Sequence, residues 1–327
     1  MSGFDTLPIA PLQHLELNWL RPFGVELAVL RLDLIDPLIS GNKWFKLLEH
    51  LRLARQMGAP GVISLGGAHS NHLHALAAAG KRFGFATAGL LRGHPQDTPT
   101  VRDLQDFGMY LHWLGYGGYR ARHQPDFWLP WQAQYPGWHC VPEGGGGALG
   151  AKGCALIVEQ ARAQLAALGW LDYDAWWLAA GTGTTLAGLV LAEGGAHQVH
   201  GALAVPLDHG VPAQVEALAG ADGFRLYDAS RGGFAKVDEA LLAFIDVCEA
   251  ESGVPLEPLY TGKALLALRE QVEAGAFTPG TRLIFLHRGG GGGGARGGGG
   301  GGGGAAPPPP PPPPGGGPPP PPPPVAP

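Results

Sequence analysis

The chain has 327 residues, 45% of them hydrophobic and 15% charged, with a formal net charge of −5. That balance, with no Lys/Arg block anywhere, argues against a nucleic-acid partner, because phosphate backbones call for a concentrated basic face. The three cysteines, Cys140, Cys154 and Cys248, are scattered and form no CxxC pair, so neither a disulfide framework nor a cysteine zinc site is supported.

The amino terminus, MSGFDTLPIAPLQHLEL, lacks the positive start and apolar core of a signal peptide. No apolar run reaches the length of about 18 residues needed to span a bilayer, so a soluble, cytoplasmic protein is expected. VELAVLRLDLI (25–35) alternates apolar and polar residues and predicts a strand. KLLEHLRLARQMG (46–58) has helical spacing, GVISLGG (61–67) is a short buried strand, HLHALAAAGKRFG (72–84) a helix and FATAGLLRG (85–93) a strand. The pattern continues through 101–115 and gives way to a Trp/Pro-rich loop at 124–138. EGGGGALGAKG (143–153) precedes a helix over 154–169, then a strand over 174–181, GTGTT, and a further helix. A strand over 197–205, helices over 212–219, 236–253 and 261–275, and a last strand from 281 complete the pass. Short apolar strands alternating with helices of about a dozen residues imply βαβ units and a parallel sheet. The fold class expected is α/β, doubly wound, with a length suited to one large domain or two lobes sharing a cleft.

From Gly289 onward the text holds only Gly, Ala, Pro, one Arg and one Val, including half of the chain's 32 prolines. Such a segment buries no apolar surface, so 289–327 is expected to be a disordered tail. Gly, Ala, Pro and Arg all have codons built from G and C alone. A frameshift into GC-rich DNA is therefore favoured over a proline-rich ligand for another domain.

Three stretches could carry chemistry. GTGTT (181–185), between an apolar strand and a helix, can turn backbone amides toward a phosphate, with the helix terminus adding partial positive charge. It is neither a Walker loop nor GxGxxG, and a tight strand–helix turn is the plain alternative. SLGGAHSNHLH (64–74) contains His69, His72 and His74, but helical spacing sends His72 and His74 apart, and no HExxH accompanies them. No metal site is expected; Ser70-Asn71 at a strand-to-helix turn suits a small anionic ligand better. SGNKWFK (40–46) carries Lys43 and Lys46, and a lysine in a desolvated cleft suits covalent chemistry with a carbonyl. Taken singly, each lysine reads as a solvated surface charge. The combination with the SN turn and the glycine cup changes that reading.

SGNKWFKLLEH, SLGGAHSNH, EGGGGALGAKG, AGTGTTLAG, PLYTGKALLAL and LIFLH follow one another in an order that resembles one enzyme family. It is the 1-aminocyclopropane-1-carboxylate deaminase / D-cysteine desulfhydrase family, among the tryptophan-synthase-β-like, fold type II pyridoxal-phosphate enzymes. The resemblance covers roughly residues 15–287. It implies two lobes with the cofactor in the cleft between them, a larger one from 1–46 and 151–288 and a smaller one from 47–150. It also implies a homodimer acting on a small amino acid. Lys43 matches the lysine that binds pyridoxal 5'-phosphate covalently and later moves protons, and Lys46 the lysine near its phosphate. Gly181, Thr182, Gly183, Thr184 and Thr185 match the phosphate cup. Asn71 matches the residue bonded to the cofactor's phenolic oxygen, Ser70 the serine facing substrate, and Tyr260 the active-site tyrosine. Amides around 68–72 would hold the substrate carboxylate. Thr261 stands where the pyridine nitrogen is approached; ring-opening deaminases carry a carboxylate there and D-cysteine desulfhydrases a threonine. The resemblance thus favours β-elimination to a keto acid and ammonia, with sulfide if the substrate is D-cysteine.

Three departures bear on activity, one being that the Gly/Pro tail stands where the family's residues after its last motif are expected. The family's HTGG reads His287-Arg288-Gly289-Gly290, which by the resemblance would put a large cation beside the pyridine nitrogen. The loop SRGGFAKVD (230–238) lacks the family's further substrate-side tyrosine. The competing readings are a catalytically impaired cofactor- or metabolite-binding protein and a metal-dependent hydrolase using the three histidines.

Overall fold

Alternating apolar strands and helices build two mainly parallel sheets in the computed structural model, which describes residues 3–39 and 41–289. The tail expected from 289 lies, from residue 290 on, outside the described residues. The chain begins β1 (Leu12–His14), β2 (Glu26–Arg31), α1 (Asn42–Gln56), β3 (Gly61–Gly66), α2 (Asn71–Phe83), β4 (Ala86–Leu91). It continues α3 (Pro99–Asp106), β5 (Tyr110–Trp113), α4 (Gly115–Arg120), α5 (Leu129–Gln134), β6 (His139–Cys140), α6 (Gly147–Arg162). The remainder is β7 (Ala175–Ala180), α7 (Thr184–Glu193), β8 (Gln198–Leu203), α8 (Val211–Ala219), β9 (Phe224–Asp228), α9 (Glu239–Ser252), α10 (Thr261–Glu273) and β10 (Arg282–His287). Among the described residues no helix is long and apolar enough to cross a membrane.

The larger unit, residues 7–49 and 146–289, carries a six-stranded sheet ordered β1-β2-β10-β7-β8-β9. All its pairings are parallel except β1 with β2. Its central strand β7 is buried throughout, and the neighbouring Trp176 and Trp177 point to opposite faces, as successive strand residues must. Each indole N–H is satisfied where it lands: Trp176 donates to Glu193 Oε1 at 2.6 Å and Trp177 to the Ala264 carbonyl at 2.7 Å. Helices thus cover the strand on both sides, the usual condition of a parallel sheet. The smaller unit, residues 3–6 and 50–145, has the four-stranded parallel sheet β5-β4-β3-β6. Ile63, Leu65, Ala88 and Leu90 pack there with Tyr119, Phe127, Trp131 and Tyr135.

Several elements differ from their sequence-based expectations, each for a physical reason. Helix α1 starts at Asn42 rather than 46, because Gly41 takes a left-handed φ of +64° and lets the Asn42 N–H bond the Arg288 carbonyl at 3.3 Å. Helix α6 starts at Gly147, seven residues earlier than the glycine-rich text suggests. Those glycines are contact points rather than breaks: a Cβ at Gly153 would collide with the Phe45 carbonyl oxygen of α1. Likewise a Cβ at Gly188 of α7 would collide with the Ala151 carbonyl of α6. The Trp/Pro-rich loop holds the short helix α5, with Trp131 buried. Strands β1 and β9 escape detection because β1 is three residues long and β9 is an edge strand only partly buried. Residues 3–6 go with the smaller unit, not the larger.

Helix propensity alone favours Ala over Gly by about 1 kcal/mol. At Gly153 the opposing atom is a backbone carbonyl that cannot rotate away, so overpacking decides the sign. Gly153→Ala is expected to destabilise by about 1–3 kcal/mol, read as a lower urea midpoint at unchanged slope. A midpoint equal to or above wild type would contradict the close approach.

Candidate active site

The parallel strands of the larger unit bring their carboxyl ends to one edge, where ligands of open α/β sheets bind. Strand β2 leads through 32–41 into the lysines of α1, β7 into GTGTT, and β10 into Arg288. Pairing of β10 with both β2 and β7 therefore places segments from the start, middle and end of the chain side by side.

Lys43 and Lys46 lie one turn apart on the first two turns of α1, so they share a face. Lys43 is half-buried, whereas Lys46 is only 3% exposed. Lys46 Nζ lies 3.2 Å from Thr182 Oγ1, and Thr182 Oγ1 is 3.3 Å from Thr184 Oγ1. Asn42 Nδ2 donates to Thr185 Oγ1 at 2.8 Å, pinning the start of α1 to the start of α7. Burial drives the Lys46 ammonium down to about 8; the neighbouring Cys154 opposes this, and the Arg288 cation adds to it. Burial likewise pushes the Cys154 thiol up, with Lys46 acting against it. Asn42 and Cys154 had no signal in the sequence, since their role rests on contacts across more than a hundred residues.

Gly183 precedes α7 at φ +75°, and no side chain caps the helix. Thr184 and Thr185 at its start are buried, so its free N–H groups form a donor cluster shielded from water. Tyr260 packs closely over Gly181: a Cβ there would stand 3.3 Å from the tyrosine ring, which would have to give by a few tenths of an ångström. The Arg288 guanidinium carbon lies 3.8 Å from the Tyr260 ring centroid, a cation–π contact. Its Nη1 is 3.5 Å from the Ala179 carbonyl, while its buried Nε has no hydrogen-bond partner among the described residues. Thr261 is fully buried, and its hydroxyl accepts from the Glu257 N–H at 2.9 Å. The Glu257 carboxylate is taken up by the N–H groups of Leu259 and Thr261, at 2.9 and 2.7 Å.

Ser70 and Asn71 belong to the smaller unit. Ser70 caps α2, its Oγ accepting from the Leu73 N–H at 3.2 Å, and Asn71 follows with an exposed side chain. Gly66 leaves room for that cap, since a Cβ there would overlap the Ser70 hydroxyl. His72 turns inward to Ser64 Oγ at 2.7 Å and His74 turns to Asp103 at 3.3 Å. Among the described residues no three His, Cys, Asp or Glu gather as a metal site.

A family model described as pyridoxal-phosphate dependent enzyme matches residues 6–289. The chain belongs to that family. A protein of Pyrococcus horikoshii provisionally named a 1-aminocyclopropane-1-carboxylate deaminase is 28% identical, over 85% of this chain and 88% of its own. A similarly named protein of Pyrococcus furiosus is 27% identical over the same shares. The solved structure of an ACC deaminase homologue superposes with a TM-score of 0.72 at 25% identity, covering 87% of this chain and 92% of that one. The fold is thus tryptophan-synthase-β-like, and the family acts on small amino acids.

The residues present fit pyridoxal phosphate. A buried ammonium facing the uncapped, water-shielded start of α7 is a donor set for a phosphate dianion, whose charge would offset the burial of Lys46. Without it, Lys46 titrates lower in the folded chain, about 8, than unfolded, 10.5. The unfolded chain then holds more protons across that window, so stability of the cofactor-free protein rises as pH climbs from about 8 toward 10.5. Lys46→Met is expected to flatten that rise and to raise stability below pH about 8, while weakening cofactor binding. Urea midpoints of the cofactor-free variant and wild type across this range check it; parallel curves would contradict it.

Proposed function

We propose that the protein is a pyridoxal-phosphate-dependent lyase/deaminase that eliminates a β-substituent from a small amino acid, D-cysteine being the favoured substrate, in preference to opening a cyclopropane ring. The observation that carries the substrate reading is what surrounds Tyr260: a threonine hydroxyl turned to backbone and a guanidinium, with the Glu257 carboxylate engaged by two N–H groups. The cofactor, when bound, supplies the electron sink that makes the substrate's α-hydrogen acidic. A carboxylate beside the cofactor's ring would strengthen that sink, and a cation there, such as Arg288, would weaken it. A weaker sink suffices when a thiolate leaves from the β-carbon and not when a carbon–carbon bond must break.

Lys43 would hold the cofactor through its amine, and the same amine would take the proton from the substrate's α-carbon. Lys46 and the start of α7, with Thr182, Thr184 and Thr185, hold the phosphate, and Gly181 and Gly183 let the backbone turn. By the family resemblance Ser70 would contact the substrate and Asn71 the cofactor's oxygen, and Tyr260 would carry a hydroxyl for the leaving group's proton. In sum D-cysteine and water give pyruvate, ammonia and sulfide.

Arg288 supports a second reading, an impaired cofactor-binding protein, because its guanidinium occupies the surroundings of Tyr260. The two readings part on turnover. Purified protein given D-cysteine is expected to release pyruvate and sulfide in equal amounts and to leave the cyclopropane acid unchanged. Lys43→Ala is expected to lose the visible absorbance of covalently held cofactor and at least about 100-fold in rate. Cofactor absorbance without keto acid from either substrate would sink the lyase reading. Arg288→Thr is expected to raise kcat; an unchanged kcat would show that the cation does not weaken the sink.

A further inference from the structure

Lys263 is 2% exposed on the first turn of α10, and none of the residues expected to carry chemistry accounts for it. Its Nζ donates to three carbonyl oxygens of one loop, those of Ser230, Gly233 and Phe234, at 2.9, 3.0 and 3.0 Å. All three ammonium hydrogens are thereby used, and no carboxylate pairs with it among the described residues. Three carbonyls converging on one point form a cage well suited to a cation with several donors, or to a bare monovalent cation.

The loop is held in an unusual course. Arg231 has φ +56°, the one positive value outside glycine among the described residues, and Arg231 Nε pairs with Asp238 at 2.6 Å. Asp228 accepts the Ser230 N–H at 2.8 Å. What this course delivers is Phe234, whose ring meets Tyr260 edge-to-face with centroids 5.3 Å apart. Lys263 sits three residues beyond Tyr260 in the chain, so one helical turn ties the tyrosine to the loop that supports it.

We propose that Lys263 is a positioning residue: its ammonium acts as a built-in cation that locks the 230–234 loop and so sets Phe234 against Tyr260 as the apolar wall of the substrate side. The assignment of that wall to the substrate side rests on the lyase reading above, whereas the lock itself does not. Charge-assisted hydrogen bonds are the strong ones, and their removal leaves three inward carbonyls without a donor.

Arg231 lies in the locked loop and Lys236 two residues beyond it, so trypsin reports on the loop without any need for turnover. In the holoenzyme Lys263→Ala is expected to be cut there about tenfold faster or more, through local opening. Ethylammonium, which restores a donating ammonium in the space left by truncation, is expected to restore protection; tetramethylammonium, which has no N–H, is not. Cleavage at the wild-type rate, or equal rescue by both salts, overturns the lock. Phe234→Ala keeps the carbonyl cage and serves as the second variant. It is expected to keep wild-type protection and cofactor absorbance while raising KM for D-cysteine several-fold; an unchanged KM overturns the wall. If no amino acid is turned over at all, the lyase reading fails while the trypsin result still decides the lock.

Discussion

A lysine ammonium buried against the uncapped start of a helix is the constraint on which this larger unit turns. Desolvation makes the Lys46 charge costly, and the free N–H groups of α7 carry a cost of the same kind. Both make the place favourable for an anion. The phosphate of the family's cofactor, placed there as proposed, would resolve both at once.

Bringing Lys46 to that helix demands unusually close packing, and glycine supplies it. Helix α6 lies against α1 at Gly153 and against α7 at Gly188, at each point with a carbonyl oxygen where a side chain would otherwise stand. The Asn42–Thr185 hydrogen bond then fixes the two helix starts against each other. The EGGGGALGAKG stretch thus works as a spacer that sets helix separation, and its effect on chemistry is indirect but strong.

Parallel pairing of β10 with both β2 and β7 supplies the other half of the arrangement. It delivers Arg288 to Tyr260, where the arginine both stacks on the ring and depresses Lys46. The same edge carries Thr261, whose hydroxyl is turned to the Glu257 backbone. The chemistry proposed for the protein follows from this local field more than from any single catalytic group.

Much of the architecture was legible from pattern alone, because β7, β8 and β10 are short apolar runs and α2, α9 and α10 have clear helical spacing. The motif residues Lys43, Lys46 and 181–185 were singled out by resemblance, and the structure brings Lys46 beside Thr182. What stayed hidden depended on contacts distant in sequence: the early starts of α1 and α6, the edge strand β9, and the parts played by Asn42, Cys154 and Lys263. By itself the sequence determined the strand–helix alternation, the family and the lysine pair, since these are encoded in local spacing and side-chain type. Only the tertiary structure decided that Lys46 is desolvated, that Arg288 covers Tyr260 and that Lys263 cages a loop. Burial, and the electrostatics that burial amplifies, belong to the packed chain and to no segment of it.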